Sequence, residues 1–463
     1  MSADNNYLTI LRSRFSRAGL PDGRRFFPWR SILLVVFLLF AVLLFGRSWL
    51  RPTVEKSAAS VTVVPAVAGG GDGKQAAAAD LCLATLFPAG FFTRREVPPA
   101  FTADCRGEPV EVSLTIEPAV QQRLSVLLRR YRPLVGAGVV LDPETGDVLA
   151  MASYQHPQQP LPPVLARGRD NFCLYAGFPA ASLIKIVSAA AALEKKGYTA
   201  SRTLPVSGRF HTLYKHQLGL KKPRFRSRPV SLEKAFSLSV NPFFGQLGIK
   251  VLSERDLFVT ARNFLFNVPL EFDLPVGVSR LLVPRDDYAR AELACGFNTA
   301  TTISPLHAAL VAALPAADGR MMRPRLVRQV TDQGGKTLYR QPDPEVLARP
   351  LSARSLQQLR RLMRATVRYG TARKSFAHLH RVRGWRQWEL GGKTGSIDLP
   401  GREGRCEWFA GYGRHGERRV AVALVLVHGE RRTISSAYVA AEMIRQVIRS
   451  SRPRQLAGLV AGR

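Results

Sequence analysis

The sequence has few acidic residues and few cysteines. Its 463 residues include 34 Asp and Glu against 67 Lys and Arg, so the formal net charge is +33. None of the five cysteines belongs to a CxxC pair or a Cys/His ligand spacing, which argues against a zinc site, and we expect no metal and no cofactor. Helix-turn-helix, zinc-finger and aromatic-basic RNA signatures are also missing, so we expect no nucleic-acid partner. The charge could instead attract anionic lipid headgroups, or it could be solvated surface arginine.

One long uncharged apolar run covers residues 31–46. As a helix, these residues reach about 24 Å, whereas the hydrocarbon layer of a bilayer is about 30 Å thick. The arginines at both ends, Arg30 and Arg47, would extend their charges toward the membrane surface, as is common at helix ends. The run therefore predicts one transmembrane helix over residues 31–50.

The basic tail before this run sets its orientation. Residues 1–30 contain six arginines, and Asp4 and Asp22 are their acidic residues. The positive-inside rule therefore places this tail in the cytoplasm and the rest of the chain outside. A cleaved signal peptide and a buried core helix are alternatives. No small-residue cleavage site directly follows the run, which favours an uncleaved anchor.

The rest of the chain divides into a short connection, a large body and a tail. Residues 51–109 predict a linker and a short juxtamembrane segment, in which Cys82 and Cys105 could form a disulfide or stay unpaired. The body is predicted at residues 110–450, and a basic C-terminal tail at residues 451–463 follows it.

The body alternates between strand and helix patterns. Strand-like alternation at residues 110–116 precedes a helical pattern at 118–131, and two apolar strands within residues 136–153 flank the turn Asp142–Gly146. After a helical middle, three successive strand patterns at residues 388–429 precede an amphipathic C-terminal helix. This order predicts an α+β fold, an antiparallel sheet flanked by helices, rather than a doubly wound parallel sheet.

Three short polar elements occur in order along this body. They are Ser182-Leu183-Ile184-Lys185, Ser239-Val240-Asn241 and Lys393-Thr394-Gly395-Ser396. In the first element, one helical turn brings Lys185 beside Ser182, where its amine could take the proton of the serine hydroxyl. Lowering a lysine pKa from about 10.4 to about 7 requires roughly 4.6 kcal/mol, which burial and the nearby cation of Lys393 can supply. The pattern indicates a serine nucleophile with a lysine base.

The second element falls between two helical patterns. A loop at this place can present Ser239 as a proton relay and Asn241 as an amide that binds substrate. Because Pro242 suits the first position of a helix, Asn241 could also cap that helix. The two roles of Asn241 do not exclude each other.

The third element lies on a strand with apolar flanks. Gly395 permits close backbone approach, so an extended peptide could add to this strand edge. Lys393 and the hydroxyls of Thr394 and Ser396 would then hold a terminal carboxylate. The backbone N–H groups of Ser182 and Ser396 can converge as an oxyanion hole.

Two similar elements have simpler explanations. Ser231 and Lys234 repeat the S-x-x-K spacing, but Ser231 stands at the start of a helical pattern and predicts an N-cap. The run Gly334–Thr337 repeats the third element, but its surroundings predict a hairpin turn, and Leu338 stands where a glycine would be needed. Neither Gly-Gly-Lys-Thr run has the upstream glycine of a phosphate-binding loop.

The ordered set of three elements resembles the transpeptidase domain of penicillin-binding proteins and their relatives, the serine β-lactamases. The likeness extends over about residues 110–449, because GAGVVLDPETGDVLAMASY, SPLHAALVAALPAADGRMMRPRLV, MRATVRYGTARKSF and EWFAGYG also resemble family segments in order. The family commonly has Pro-Gly-Ser-Thr-Phe-Lys around its serine, whereas this chain has PAASLIK at Pro179–Lys185. The change keeps small residues before the serine.

The resemblance implies a peptidoglycan D,D-transpeptidase on the periplasmic side of a bacterial inner membrane. It implies that a stem peptide ending in D-alanyl-D-alanine acylates Ser182, with Lys185 as the general base. Ser239 and Lys393 would relay the proton, and Asn241 would hold the peptide amide. An amine from a neighbouring stem would resolve the acyl-enzyme, and β-lactams would acylate the same serine.

The same fold could instead have one of three other functions: a D,D-carboxypeptidase, a β-lactamase, or a non-catalytic penicillin-binding scaffold or sensor. A β-lactamase would need a deacylating carboxylate, which neither Asn241-Pro242 nor Ser396-Ile397 offers. The complete set of functional side chains argues against a silent scaffold. Because residues 51–109 are too few for a glycosyltransferase domain, we expect a separate polymerase partner.

Overall fold

The computed structural model describes residues 83–222 and 226–450. The predicted N-terminal tail, the predicted transmembrane helix at residues 31–50 and the C-terminal tail at residues 451–463 lie outside the described residues. Within the described part of the chain, no helix is long and apolar enough to span a bilayer.

The strands are numbered in chain order. They are β1 (Ala100–Cys105), β2 (Glu108–Leu114), β3 (Val135–Leu141), β4 (Val148–Gln155), β5 (Phe178–Pro179), β6 (Thr203–Val206), β7 (Arg228–Ser231), β8 (Thr302–Ile303), β9 (Met321–Met322), β10 (Val327–Asp332), β11 (Thr337–Arg340), β12 (Val346–Ala348), β13 (Glu389–Asp398), β14 (Arg405–His415) and β15 (Arg418–His428).

The α-helices are numbered in the same way. They are α1 (Pro118–Tyr131), α2 (Lys185–Lys196), α3 (Lys215–Leu218), α4 (Leu232–Ser237), α5 (Asn241–Gln246), α6 (Glu254–Asn263), α7 (Asp287–Cys295), α8 (Pro305–Ala313), α9 (Ala353–Arg368), α10 (Arg373–Phe376) and α11 (Ser436–Arg449). A π-helical turn, Leu247–Val251, follows α5. Turns of 3-10 helix lie at Leu83–Leu86, Phe91–Thr93, Pro163–Gly168, Ala181–Ile184, Ala377–Arg381, Trp385–Gln387 and Pro400–Arg402.

A five-stranded sheet forms the centre, in the order β13-β14-β15-β3-β4, and every neighbouring pair is antiparallel. The predicted hairpin of β3 and β4 is present, with Val135 opposite Gln155. All seven residues of β3 are buried, because the sheet is covered on both faces. The predicted α+β fold with an antiparallel sheet is therefore confirmed.

Alternate residues of β15 point to two separate layers of core. Val422 and Leu424 lie in a cluster with residues of α1 and α11, whereas Ala423 and Val425 lie in the cluster that contains α8. Strand side chains point alternately to opposite faces, so helices cover both sides of the sheet. All nine residues of α8 are buried, and all but His307 are apolar, as expected for a helix in the core.

A second, four-stranded sheet has the order β1-β2-β10-β11. Its first strand, β1, lies before residue 110, where the body was predicted to begin, and it pairs antiparallel with β2. Cys105 ends β1 and forms no disulfide with another described cysteine. Its predicted partner, Cys82, lies outside the described residues.

Candidate active site

Ser182 lies in a turn between the short strand β5 and α2. The turn Ala181–Ile184 is 3-10 helical and continues directly into α2, which begins at Lys185. Ala181 has a φ of 46°, a left-handed conformation that costs a residue other than glycine about 1–2 kcal/mol. Backbone strain of this kind persists where surrounding structure fixes it, often next to functional groups.

Lys185 is fully buried and makes three polar contacts through Nζ. Its Nζ lies 2.7 Å from Ser182 Oγ, 2.8 Å from Asn241 Oδ1 and 2.6 Å from the carbonyl oxygen of Cys295. Burial lowers the pKa of Lys185 to about 8, although its interaction with Cys295 acts in the opposite direction. The spacing in the sequence predicted the serine–lysine pair, but nothing in it indicated the Cys295 carbonyl.

These contacts prepare Lys185 to act as a base. A neutral amine has two N–H donors and one lone pair, and the oxygens of Asn241 and Cys295 are acceptors only. When both N–H groups donate to those oxygens, the lone pair is left to accept the hydroxyl proton of Ser182. The arrangement therefore favours a serine whose proton can be removed.

Lys393 and Ser239 form the second pair. Lys393 Nζ donates to Ser239 Oγ at 3.0 Å and to the carbonyl oxygen of Thr394 at 2.8 Å. Lys393 is fully buried, and burial first, with the charge of Lys185 second, holds its pKa well below the usual value. Ser239 lies between α4 and α5 with a φ of 57°, so two residues of this site have left-handed backbones.

Asn241 contacts the first of these two pairs through its side chain. The predicted helix cap is not observed, because Val240 is the N-cap residue of α5 and Asn241 is its first helical residue. The Asn241 side chain accepts from Lys185 through Oδ1 and donates to the carbonyl oxygen of His211 through Nδ2 at 3.1 Å. Its amide is therefore fixed beside the amine of Lys185.

The third element lies on β13, the outermost strand of the central sheet. Gly395 is buried, and a Cβ atom built there would lie 3.3 Å from the backbone nitrogen of Ser182. This close approach places the N–H of Ser182 against the strand that carries Thr394 and Ser396. Ser396 is exposed and Thr394 is half-buried, so both hydroxyls can be reached from outside.

Two further side chains at this edge, Thr371 and Arg405, are not indicated by any sequence motif. Thr371 Oγ1 lies 2.6 Å from Thr394 Oγ1, and its backbone nitrogen donates to the carbonyl oxygen of Ser237 at 3.0 Å. Arg405 Nε donates to Ser396 Oγ at 2.8 Å. Arg405 reaches this position through the antiparallel pairing of β13 and β14, which the sequence does not specify residue by residue.

The simpler explanations for the two similar elements are confirmed. Ser231 caps α4, because its Oγ accepts from the backbone nitrogen of Lys234 at 3.2 Å. Gly335 has a φ of 81° in the turn between the antiparallel strands β10 and β11. The serine–lysine spacing alone therefore does not identify an active site; the surrounding contacts do.

Residues 136–449 match the family model of the penicillin-binding protein transpeptidase domain. "Peptidoglycan D,D-transpeptidase PbpA" of Mycobacterium tuberculosis H37Rv is 31% identical over 263 residues, which cover 52% of this chain and 50% of that protein. The protein of the same name from Mycolicibacterium smegmatis is 26% identical over 388 residues, 78% of this chain and 74% of that protein. The chain thus spans about half the length of the first of these relatives.

Solved structures share the fold. The crystal structure of PBPA from Mycobacterium tuberculosis has a TM-score of 0.59 and 24% identity, covering 73% of this chain and 82% of that one. An imipenem acyl-enzyme complex of penicillin-binding protein A from the same organism has a TM-score of 0.58 and 24% identity, covering 73% and 79%. With the family model matching most of the chain, this protein belongs to the penicillin-binding protein transpeptidase domain family.

Proposed function

We propose that this protein is a peptidoglycan D,D-transpeptidase that forms a serine acyl-enzyme at Ser182 and is inhibited by β-lactams. The observation that carries the proposal is the 2.7 Å separation between Ser182 Oγ and the buried amine of Lys185, whose pKa is lowered to about 8. The names of the PbpA relatives and the imipenem acyl-enzyme of a structural neighbour support the same chemistry.

Acylation uses both polar pairs of the site. Ser182 Oγ attacks the carbonyl carbon that links the two terminal D-alanines, and Lys185 accepts the hydroxyl proton. The oxyanion receives hydrogen bonds from the backbone N–H groups of Ser182 and Ser396. The C–N bond then breaks, and the proton held by Lys185 passes to the leaving amine through the hydroxyl of Ser239, which Lys393 orients by a hydrogen bond, so Lys185 becomes neutral again. An ester on Ser182 and free D-alanine result.

The second half-reaction transfers the peptide to an amine of a neighbouring stem. The amine attacks the ester carbonyl, its proton passes to Lys185, and the ester C–O bond breaks as Ser182 regains a proton. One amide bond is formed for each amide bond broken, so the reaction needs no further reactant. Asn241 holds the donor peptide amide while it keeps Lys185 in place.

The outer edge of β13 receives the extended donor peptide. The central sheet leaves this edge without a strand neighbour among residues 83–222 and 226–450, so a peptide can add there through main-chain hydrogen bonds. Thr394 and Ser396 present hydroxyls, and Gly395 lets the backbone approach Ser182 closely. The arrangement positions the scissile carbonyl in front of Ser182 Oγ.

The direct test is release of D-alanine from a synthetic peptide ending in D-alanyl-D-alanine, measured with and without an amine acceptor. The full-length protein is expected to release D-alanine and to join the shortened peptide to the acceptor. Ser182→Ala is expected to do neither, and Ser239→Ala to lower the rate by about 10²–10⁴-fold. Release without any joined product at every acceptor concentration would contradict a transpeptidase and favour a carboxypeptidase.

We also propose that residues 31–50 anchor the protein in a bacterial inner membrane, with the catalytic body in the periplasm. The apolar run and the arginine-rich tail support this orientation. In spheroplasts, added protease is expected to digest the body, and alkaline carbonate is expected to leave the uncut chain in the membrane pellet. Protection from protease, or extraction by carbonate, would contradict the anchor.

A separate glycosyltransferase is proposed to supply the glycan strands. The groups assembled around Ser182 perform acyl transfer, and strand polymerisation is a different reaction. Membranes with and without the candidate glycosyltransferase are expected to differ in cross-linked product made by this protein. Equal cross-linking in both membranes would contradict the partnership.

A further inference from the structure

A cavity of about 1210 Å³ lies beside the chain segment that supports Asn241. In that segment, Phe210 O accepts from the backbone nitrogen of Asn241 at 2.7 Å, and His211 O accepts from its Nδ2 at 3.1 Å. The residues on either side of these two, Arg209 and Thr212, line the cavity. One short segment, residues 209–212, therefore both contacts Asn241 and contributes to the lining of the cavity.

Cations dominate the lining of this cavity. Arg209, Lys215, Lys221 and Lys222 line it together with polar residues, and no aspartate or glutamate is among the described lining residues. None of these four forms an ion pair with a carboxylate in the described part of the chain. All four residues are exposed, so water and salt screen part of their mutual repulsion, and an anion that binds among them would lower it further.

One buried glutamine fixes the wall that carries these charges. Gln217 Nε2 donates to the carbonyl oxygens of Ser207 and Arg209 at 3.0 and 3.1 Å. Its Oε1 accepts from Thr212 Oγ1 at 3.1 Å and from the backbone nitrogen of Tyr214 at 2.9 Å. Every hydrogen-bonding position of this side chain is used, so the cavity wall is organised before a ligand arrives.

We propose that this cavity binds the carboxylates of an acidic peptide, namely side chains of the peptide substrate that lie away from the scissile bond. The inference rests on the proposed function. Lysine and arginine are suited to carboxylates, and Asn241, which holds the peptide amide, is bonded to the cavity wall.

The test compares two peptides that end in D-alanyl-D-alanine, one with two free side-chain carboxylates and one with both amidated. In the full chain, Arg209→Gln combined with Lys215→Gln is expected to raise KM for the acidic peptide about threefold to tenfold. KM for the amidated peptide is expected to change less than twofold. Penicillin labelling of the double variant shows that the protein has folded.

A matched control removes two charges elsewhere. Lys336 and Arg383 are exposed and line no part of the cavity, so Lys336→Gln combined with Arg383→Gln is expected to leave both KM values unchanged. Equal KM shifts for the two peptides, or the same shift in the control, would overturn the proposal. Loss of binding to anionic lipid vesicles with no change in peptide KM would also overturn it, in favour of a lipid site.

Failure of the proposed function is separable from failure of this inference. If the wild-type protein releases no D-alanine, the transpeptidase proposal fails, and peptide binding to Ser182→Ala is then measured by calorimetry. If the acidic peptide binds more tightly than the amidated one, and this difference disappears when Arg209 and Lys215 are changed to Gln, the result would still support carboxylate binding in the cavity. Equal binding of both peptides would overturn it.

Discussion

Two buried lysines without carboxylate partners define the chemistry at the scale of single residues. Lys185 and Lys393 are both fully buried, and neither forms an ion pair in the described part of the chain. Removing an amine from water without a counter-charge favours its neutral form. Each amine lies within hydrogen-bonding distance of a serine hydroxyl, Lys185 of Ser182 and Lys393 of Ser239.

The pH dependence of acylation tests this electrostatic arrangement. Because only neutral Lys185 can accept the proton of Ser182, and its pKa is lowered to about 8, the acylation rate should rise with pH up to about pH 8. The expected increase is about tenfold per pH unit below that value, followed by a plateau. Stopped-flow acylation by a fluorescent penicillin between pH 6 and pH 9 measures it. A rate that stays flat or falls over this range would contradict the assignment of Lys185 as base.

The strained backbone at Ala181 gives a second residue-scale prediction. Ala181 (φ 46°) and Ala180 (φ −65°) are both 1% exposed, so replacement by glycine removes the same buried methyl from each. Ala181→Gly should therefore be more stable than Ala180→Gly by about 1–2 kcal/mol, because only the first change relieves left-handed strain. Denaturant unfolding of the two variants measures the difference. Equal stabilities would show that Ala181 is not strained.

Individual functional residues were predictable where local spacing fixes them. The pairing of Ser182 with Lys185 follows from one helical turn, and the structure adds only the distance. The position of Thr371 against Thr394 and of Arg405 against Ser396 depends on long-range packing. No local pattern encodes such contacts, so the sequence analysis missed them.

Close packing between elements holds the turn Ala181–Ile184 in place. Gly296 ends α7 with a φ of 71°, and a Cβ atom there would lie 1.9 Å from the carbonyl oxygen of Ala181. The residue before it, Cys295, supplies its carbonyl oxygen to Lys185. The end of α7 thus positions both the turn and the base.

A matched pair of helix-ending glycines tests this contact. Gly197 ends α2 with a φ of 61° and has open space where a Cβ would be, so Gly197→Ala should cost only about 1 kcal/mol. Gly296→Ala should cost about 3 kcal/mol, since the Ala181 carbonyl must also move. Thermal unfolding gives the stabilities, and penicillin acylation should slow only in Gly296→Ala. Equal losses of stability and equal acylation rates in the two variants would show that α7 does not position the turn Ala181–Ile184.

At the element scale, long apolar strands were easier to predict than short ones. β3, β14 and β15 carry long buried runs whose pattern is visible in the sequence. The two-residue strand β5, which leads into the turn Ala181–Ile184, and its antiparallel partner β8 have no period that a sequence pattern can show. β1 was also missed, because its residues are half-buried or exposed and do not form an apolar run.

For the whole domain, Glu407 ties the central sheet to the C-terminal helix. Its carboxylate accepts from Arg432 at 2.5 and 2.7 Å and from the backbone nitrogen of Ser436, the first residue of α11, at 3.0 Å. Burial raises the pKa of Glu407, but the contact with His428 Nε2 at 3.3 Å and the hydrogen bonds from Arg432 outweigh burial and hold it at about 2. The ionised group therefore stabilises the folded domain.

Acid unfolding tests this link. Because the pKa of Glu407 is lowered in the folded state, its contribution is present above the unfolded value of about 4.3 and is lost as pH falls toward 2. Between pH 5 and pH 2, the free energy of unfolding should fall by about 2 kcal/mol more in the wild type than in Glu407→Gln. Glu403→Gln, at an exposed position, should behave as wild type. Identical acid sensitivity in wild type and Glu407→Gln would contradict the link.

The central claim for the whole molecule is that Ser182, among the serines in S-x-x-K spacing, is the nucleophile. Labelling of the full chain with a fluorescent penicillin tests it most directly, with Ser231→Ala as the matched control from the second S-x-x-K element. Ser182→Ala should not be labelled, whereas Ser231→Ala, which loses only a helix cap worth about 1 kcal/mol, should be labelled like wild type. Labelling that persists in Ser182→Ala would contradict the assignment of Ser182 as the nucleophile.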